Sequence, residues 1–220
     1  MERIALDEAD VVVLPEFRET TRSRLEASEF GSRWTRPLHT YPESRENGIG
    51  ILCRLGLRPT RRRTQIAGFK HRLLAVTLLK ERLQVVAVHG PLDGEDADYY
   101  WTNLLRWLRR IRHEPVLVIG DFNTGEAGVD AYKNPFWCSD HFLRLRDIGY
   151  TDLWRRHNPG RTEHTWFSRR GGVDLNGFRL DHAFGSDTVV ERLVHCRYLG
   201  HYRGKGFTDH AGVEVSIAPA

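Results

Sequence analysis

The sequence predicts an α/β protein in which two packed mixed sheets are flanked by helices, a four-layer α/β/β/α sandwich. Three observations carry this. Apolar runs of strand length recur from one end of the chain to the other. One long amphipathic segment lies among them, at residues 96–113. The late runs follow one another with no helical period between them, whereas a parallel, doubly wound sheet needs a helix after each strand. No GxGxxG loop follows any of the runs, which also counts against a dinucleotide fold.

Taken in order, the predicted strands cover 11–15, 49–53, 73–79, 83–88, 115–119, 178–184, 190–198 and 211–217. Each is short, apolar and bounded by glycine, proline or charge. Lys80-Glu81 sits between two of these runs and predicts a tight hairpin, so that pair is antiparallel. In the segment 96–113, Tyr100, Leu104, Leu108 and Ile111 fall on one helical face with Trp101 and Leu105 beside them. Arginines occupy the opposite face, and Pro115 ends the helix. Shorter helices are expected over 18–29 and 138–147.

The 220 residues contain no internal repeat, low-complexity tract or Pro/Ser-rich linker, so one domain is expected over 1–220. Apolar residues make up 40%, enough for a core, and no apolar run reaches the length of a membrane span. The first ten residues do not read as a secretory signal. Cys53, Cys138 and Cys196 are odd in number and far apart, which excludes a disulfide framework and a CxxC zinc site. Reduced thiols and a cytoplasmic location are expected, with a monomer as the simplest state. Net charge is +4, and lysine appears only at 70, 80, 133 and 205. The excess is therefore arginine, whose planar fork grips phosphate with two bonds. The run Arg61-Arg62-Arg63 reads as a solvated loop or strand end.

Five segments carry chemistry, each at the end or the beginning of an apolar run. Gly120-Asp121-Phe122-Asn123 follows Val116-Leu117-Val118-Ile119. In an extended segment Asp121 and Asn123 point the same way, an acceptor carboxylate beside a neutral amide. Glu16 closes Val11-Val12-Val13-Leu14-Pro15 and is a candidate ligand for a hard cation. His89 ends the strand after the hairpin, where Gly90-Pro91 stops the chain. Asp181, inside the run 178–184, is buried by its context and needs a partner; a carboxylate beside a histidine such as His182 can orient its ring. Asp209 and His210 open the last strand as neighbours, so their side chains diverge, one free to face a metal and the other a partner such as Asp181. If the strands pack as one sandwich, all five segments meet on one rim.

In this combination the sequence resembles the endonuclease/exonuclease/phosphatase superfamily, the DNase I-like fold. The resemblance runs from Asp10 to Val215. Val11 to Glu16 is similar to the family strand that ends in a metal-binding glutamate, with Pro15 where glutamine is usual. Asn47-Gly48-Ile49-Gly50-Ile51-Leu52 resembles the next core strand. Gly120-Asp121-Phe122-Asn123-Thr124 resembles the family's most characteristic motif, His164-Thr165-Trp166 its Thr-Trp segment, Arg179-Leu180-Asp181-His182 its Arg-Ile-Asp-Tyr strand and Thr208-Asp209-His210 its terminal Ser-Asp-His. The resemblance implies hydrolysis of a phosphate ester with Mg²⁺ or Mn²⁺. It gives Glu16, with Asp209, the cation; Asp121 the attacking water; and Asn123 a phosphate oxygen. His210, paired with Asp181, would stabilise charge on the phosphorane-like oxygen, and His89 would donate to the scissile phosphate.

Two departures matter. Family domains open with a strand carrying a metal-site asparagine, and this chain starts just after that point. Weakened metal binding and lower stability are the corresponding expectations, testable by extending the chain upstream. Abasic-site endonucleases of the exonuclease III branch carry Asn-x-Tyr-x-Pro where this chain has Val88-His89-Gly90-Pro91, a form resembling the DNase, sphingomyelinase and phosphodiesterase branches. The inositol-phosphatase Trp-Cys-Asp-Arg motif has no match either, since Phe136-Trp137-Cys138-Ser139 lies elsewhere. Nucleic acid is the expected substrate: the basic balance favours a polyanion, and Trp34, Trp137, Trp154 or Trp166 could stack on bases. A small phosphoester or phospholipid head group is the alternative, and a catalytically impaired binding module is the reading from a different class.

Overall fold

In the computed structural model, described residues are 9–26, 34–35, 37–40, 47–54, 56–64, 66–92, 94–131, 136–170, 172–206 and 208–220. Residues 1–8, and residues 27–29 of the helix expected over 18–29, lie outside them.

The elements run β1 (Val11–Phe17), α1 (Glu19–Glu26), β2 (Leu38–Thr40), β3 (Gly48–Cys53), β4 (Pro59–Arg62), β5 (Leu73–Leu78), β6 (Leu83–His89), α2 (Glu95–Ile111), β7 (Val116–Asp121) and α3 (Ser139–Asp147). They continue with β8 (Thr151–Asp152), α4 (Leu153–His157), β9 (Trp166–Arg170), β10 (Val173–Phe178), β11 (Asp181–Gly185), α5 (Asp187–Glu191), β12 (Leu193–Leu199), α6 (His201–Gly204) and β13 (Gly212–Ile217). A six-stranded sheet has the order β4-β5-β6-β7-β11-β8, and smaller sheets are β1-β3-β2, β12-β13 and β10-β9. The pair β6–β7 is parallel and its neighbours are antiparallel, so the large sheet is mixed.

Period-two alternation decides what each strand buries. Leu74, Val76 and Leu78 of β5, Val85 and Ala87 of β6, Leu117 of β7 and Ala183 of β11 face one cluster. That cluster also takes Ile49, Ile51 and Cys53 of β3, and Cys196 of β12 with Val213 and Val215 of β13. The β1-β3-β2 and β12-β13 sheets thus pack face to face on the large one. The alternate residues, Leu73, Ala75, Val86, Val88, Val116 and Val118, meet Tyr100, Trp101, Leu104 and Leu108 of α2 and Phe142 and Leu145 of α3. Both faces of the central strands are dry, which is why they read as unbroken apolar runs. On the outside of the three-stranded sheet, Phe17, Trp34 and Leu52 form a third cluster.

The hairpin at Lys80-Glu81 is as expected, with Leu78 opposite Leu83. Two expected strands need correction. In 190–198 the first two residues belong to α5, and β12 starts only at Leu193, where the turn after the helix ends. The run 178–184 is two strands, because β10 stops at Phe178 and β11 starts at Asp181. The interruption is Arg179, whose fully buried guanidinium (0% exposed) binds the carboxylates of Asp130 and Asp152. Side-chain pairing there overrides the apolar pattern. Arg61 and Arg62 lie on the edge strand β4, consistent with the strand-end reading, and Arg62 pairs with Glu114.

Candidate active site

The register of three adjacent strands builds the floor of the site. His89 is opposite Asp121 across β6–β7, and Asp121 is opposite Asp181 across β7–β11. Three polar side chains thus form one row at the end of the large sheet, on the side facing the smaller sheets. The row lies under a cleft of about 500 Å³ lined by Glu16, Arg18, Arg72, His89, Asp121, Asn123, Trp166, Leu180 and His210, among others.

The turn after β7 is set by close backbone approach. At Gly120 (φ 146°) a Cβ would sit 2.1 Å from the Val88 carbonyl oxygen. At Gly90 it would sit 2.1 Å from the carbonyl oxygen of Phe122. Only glycine admits both contacts. Asn123 takes a left-handed conformation (φ 51°), which asparagine tolerates well. Its backbone N–H donates to Asp121 Oδ1 at 2.9 Å, and its side-chain amide donates to the Gly90 carbonyl at 2.8 Å.

Glu16 reaches the cleft through a β-bulge. Leu14 pairs with Gly50 and Phe17 with Gly48, so Pro15 and Glu16 together oppose a single residue. Pro15 has no N–H for the ladder, and the bulge accommodates it. The left-handed Glu16 (φ 56°) then turns an exposed carboxylate toward the other site residues.

Asp181 finds its partner on another strand. His210 Nδ1 lies 2.8 Å from Asp181 Oδ2, whereas His182 points to the helical side and donates to the Thr124 carbonyl oxygen through Nε2 at 2.9 Å. Adjacency to His182 therefore does not give Asp181 its histidine. Asp209 diverges from His210 as expected: its Oδ2 accepts from the Trp166 indole at 3.1 Å, at the rim of the cleft. The backbone of Asp181 is held on both sides. Its N–H and that of Leu180 donate to Thr165 Oγ1, at 3.2 and 2.9 Å, and its carbonyl accepts from Tyr198 OH at 2.7 Å. Arg179, two residues away, is anchored by Asp130 at 2.7 Å and Asp152 at 2.6 Å, with Arg155 also bound to Asp130 at 2.5 Å.

Burial and mutual charge set the protonation of these groups. Burial first, and the Asp181 carboxylate second, push Asp121 up to about 7, against the pull of His210. Burial opposes charge on His210, but the Asp181 hydrogen bond and the surrounding carboxylates outweigh it and raise the ring to about 9. Burial, with Arg72 and His71 adding to it, lowers His89 to about 4, so its imidazole is neutral at pH 7. Its buried Nδ1 has no protein partner. Ligand atoms of Asp121, Asp181 and His210 lie within 4.8 Å of one another, and Glu16 faces the same cleft. The carboxylates of this group fit a hard divalent cation, which would also relieve the charge that lifts Asp121, whereas the charged His210, bonded to Asp181, offers it no lone pair.

The Endonuclease/Exonuclease/phosphatase family model matches residues 1–210, nearly the whole chain. The chain belongs to this family. Members of the endonuclease/exonuclease/phosphatase family are phosphoester hydrolases. Among solved structures, the chain is similar to a 3′ phosphatase, NExo, from Neisseria bound to a product DNA hairpin. The TM-score is 0.79 at 22% identity, over 96% of this chain and 91% of that one. A structure of the 3′-5′ exonuclease NExo from Neisseria meningitidis gives 0.79 at 23% identity, covering 97% and 91%. An AP endonuclease from Archaeoglobus fulgidus gives 0.75 at 16% identity, covering 97% and 90%. These likenesses establish the fold.

Against this family frame, Glu16, His89, Asp121, Asn123 and His210 line one cleft, Asp181 stands directly behind His210, and Asp209 is at the rim. Sequence reasoning missed Arg18, His71, Arg72 and Leu92 in the lining, and Asp130, Asp152 and Tyr198 behind Asp181. Arg72 had a legible signal, a cation just before a buried strand. The Asp130 and Asp152 pairings had none, because their partner lies 49 and 27 residues away. Trp34 and Trp154 are core residues, which removes two of the four candidates for base stacking. Among the described residues no helix is long and apolar enough to cross a membrane.

Proposed function

We propose that the chain is a divalent-cation-dependent phosphodiesterase acting on nucleic acid. The observation that carries this is the His89–Asp121–Asp181 row, completed by Asn123 and His210 in a cleft that also holds Arg18 and Arg72. Asp121, near neutrality in its acidity, orients the attacking water and takes its proton. Asn123 keeps one amide hydrogen for a phosphate oxygen while the other anchors it to Gly90. His210, charged and held by Asp181, stabilises the negative charge that develops on the phosphoryl oxygens. Neutral His89 donates a hydrogen bond to the scissile phosphate. Glu16 would hold Mg²⁺ or Mn²⁺, with Asp209 able to join through rotation away from Trp166. Such an ion, when bound, supplies charge neutralisation for the phosphate and the leaving oxygen.

Nucleic acid is the preferred substrate class because Arg18 and Arg72 line the cleft, the net charge is +4, and the similar Neisseria protein is a 3′ phosphatase seen with DNA. The test has two stages. Hydrolysis of a bis-aryl phosphate is measured with Mn²⁺, with Mg²⁺ and with chelator. Activity that needs the cation and disappears in both Asp121→Ala and His210→Ala supports the proposal; no hydrolysis in any condition returns the binding-module reading. Plasmid DNA, RNA, phospholipid and inositol phosphate are then compared. Nucleic-acid hydrolysis that weakens steeply with salt is expected. Preference for a lipid or small phosphoester overturns the substrate assignment.

A further inference from the structure

We infer that Leu92 and Trp137 form an apolar rim on which an unpaired nucleobase next to the scissile phosphate packs. This inference rests on the nucleic-acid reading above and adds a base-binding element to a site otherwise made of phosphate-binding groups.

Two loops flank the turn that carries Asp121 and Asn123. The loop after β6 is tied to it by the Gly90 N–H to the Asp121 carbonyl, 2.8 Å, and by the Asn123 amide to the Gly90 carbonyl. The loop before α3 is tied to it by Thr124 Oγ1, which donates to the Trp137 carbonyl at 2.6 Å. Ser139 reinforces that connection by donating to the Gly125 carbonyl at 2.8 Å. Among the described residues, the most exposed large apolar side chains of these loops are Leu92, 67% exposed, and Trp137, 66% exposed. Scattered exposed apolar groups are ordinary. Leu92 is two residues from a hydrogen bond to the catalytic turn and lines the cleft itself, and the Trp137 carbonyl is directly bonded to Thr124.

Among the described residues, no hydrogen bond or ring contact engages the Trp137 indole. Trp34, Trp101 and Trp154 are buried, and Trp166 is bound to Asp209. Trp137 is nonetheless placed by its neighbours. Phe136 packs edge-on against Phe178 at 6.0 Å, Phe178 against Trp166 at 5.7 Å, and Trp166 against the His210 ring at 6.4 Å. Phe136, the residue before Trp137, thus starts a contiguous aromatic series that ends at the His210 ring. A flat, exposed ring near a cleft lined by Arg18 and Arg72 is complementary to a strand that offers phosphates and π-faces in alternation. Double-stranded ends hide their bases in the stack, so the rim favours single strands and frayed termini.

The test compares two oligomers of equal length and phosphate charge, one with natural bases in a single strand and one built entirely from base-free tetrahydrofuran units. The readout is the ratio of kcat/KM for the base-bearing oligomer to that for the base-free one, which cancels any loss of active protein. In Trp137→Ala this ratio is expected to fall about ten- to a hundred-fold, the usual range for losing one stacked base. Trp137→Phe should keep it within a few-fold, and Leu92→Ser should lower it several-fold. A ratio within two-fold of wild type in Trp137→Ala overturns the inference while leaving the nucleic-acid reading intact. Wild-type protein that hydrolyses other phosphoesters but neither oligomer overturns both.

Discussion

His182 makes the fold acid-sensitive by a calculable amount. Its ring is fully buried among Phe122, Phe142 and Phe184, at centroid distances of 5.3, 4.6 and 6.2 Å. Nε2 carries the hydrogen that reaches Thr124, and the buried Nδ1 faces no acceptor. Protonation would place an unpaired N–H and a charge in an apolar pocket. Burial first, and Arg179 second, hold this imidazole down to about 4 from an ordinary 6.5. The unfolded chain therefore takes up the proton before the folded one. The associated stability is complete above pH 6.5 and is lost as pH falls toward 4, at about 1.4 kcal/mol per pH unit, or about 3 kcal/mol in all. Urea unfolding at pH 7 and pH 4.5 measures it. Wild type should lose about 2 to 3 kcal/mol more over that interval than His182→Gln, which keeps an N–H donor and cannot titrate. Equal losses, or an NMR titration of the His182 ring near its ordinary value, would refute the reasoning. Because Thr124 adjoins Asn123, activity should fail over the same acid range.

Other outcomes follow from the same geometry. Asp121→Asn should lower kcat by ~10²–10⁴-fold with the cation present. In chelator at pH 8 the same variant should melt higher than wild type: Asp121 binds its proton more tightly in the folded state, so its ionisation above pH 7 opposes folding. A lower melting temperature for the variant would contradict the burial and charge argument. Arg179→Met should destabilise by about 3–5 kcal/mol, because it strands the carboxylates of Asp130 and Asp152 in the interior. Calorimetry reads this loss, and a variant within 1 kcal/mol of wild type would show, as a rough threshold, that the pair is not the anchor described.

The sequence revealed the large sheet best because β5, β6 and β7 are dry on both faces and leave unbroken apolar runs. It was least informative where side-chain partners decide the structure. Arg179-Leu180 looked like the start of a strand because the pattern shows neither Asp130 nor Asp152 closing on the guanidinium. The short strands β2, β8 and β9 and the helix α4 carry too few residues for a period to register. At the site, residue types at strand ends were legible, but the pairings were not. Which histidine meets Asp181 depends on β13 packing beside β11, a contact between segments with no local signature. The bulge that turns Glu16 was hinted at by Pro15 alone.

The arrangement behind Asp181 bears on the charge balance of this cleft. Asp121 and Asp181 are directly opposite on paired strands, a placement in which like charges repel. A flexible backbone would relieve this by moving apart. Here it cannot: Thr165 holds the N–H of Asp181, Tyr198 holds its carbonyl, and the buried Arg179 fixes the chain two residues earlier. Across the pair, Gly120 is wedged against Val88 and Asn123 is tied to Gly90. The repulsion must be answered by charge rather than by movement. His210 answers part of it on the Asp181 side. On the Asp121 side the neighbouring imidazole, His89, is neutral at pH 7, so the remaining negative charge of Asp121 and Glu16 is left for a metal ion or for the proton of an attacking water. Rigidity supplied by the polar anchors thus holds an unfavourable pair of carboxylates together, a repulsion that a bound cation or a proton would relieve.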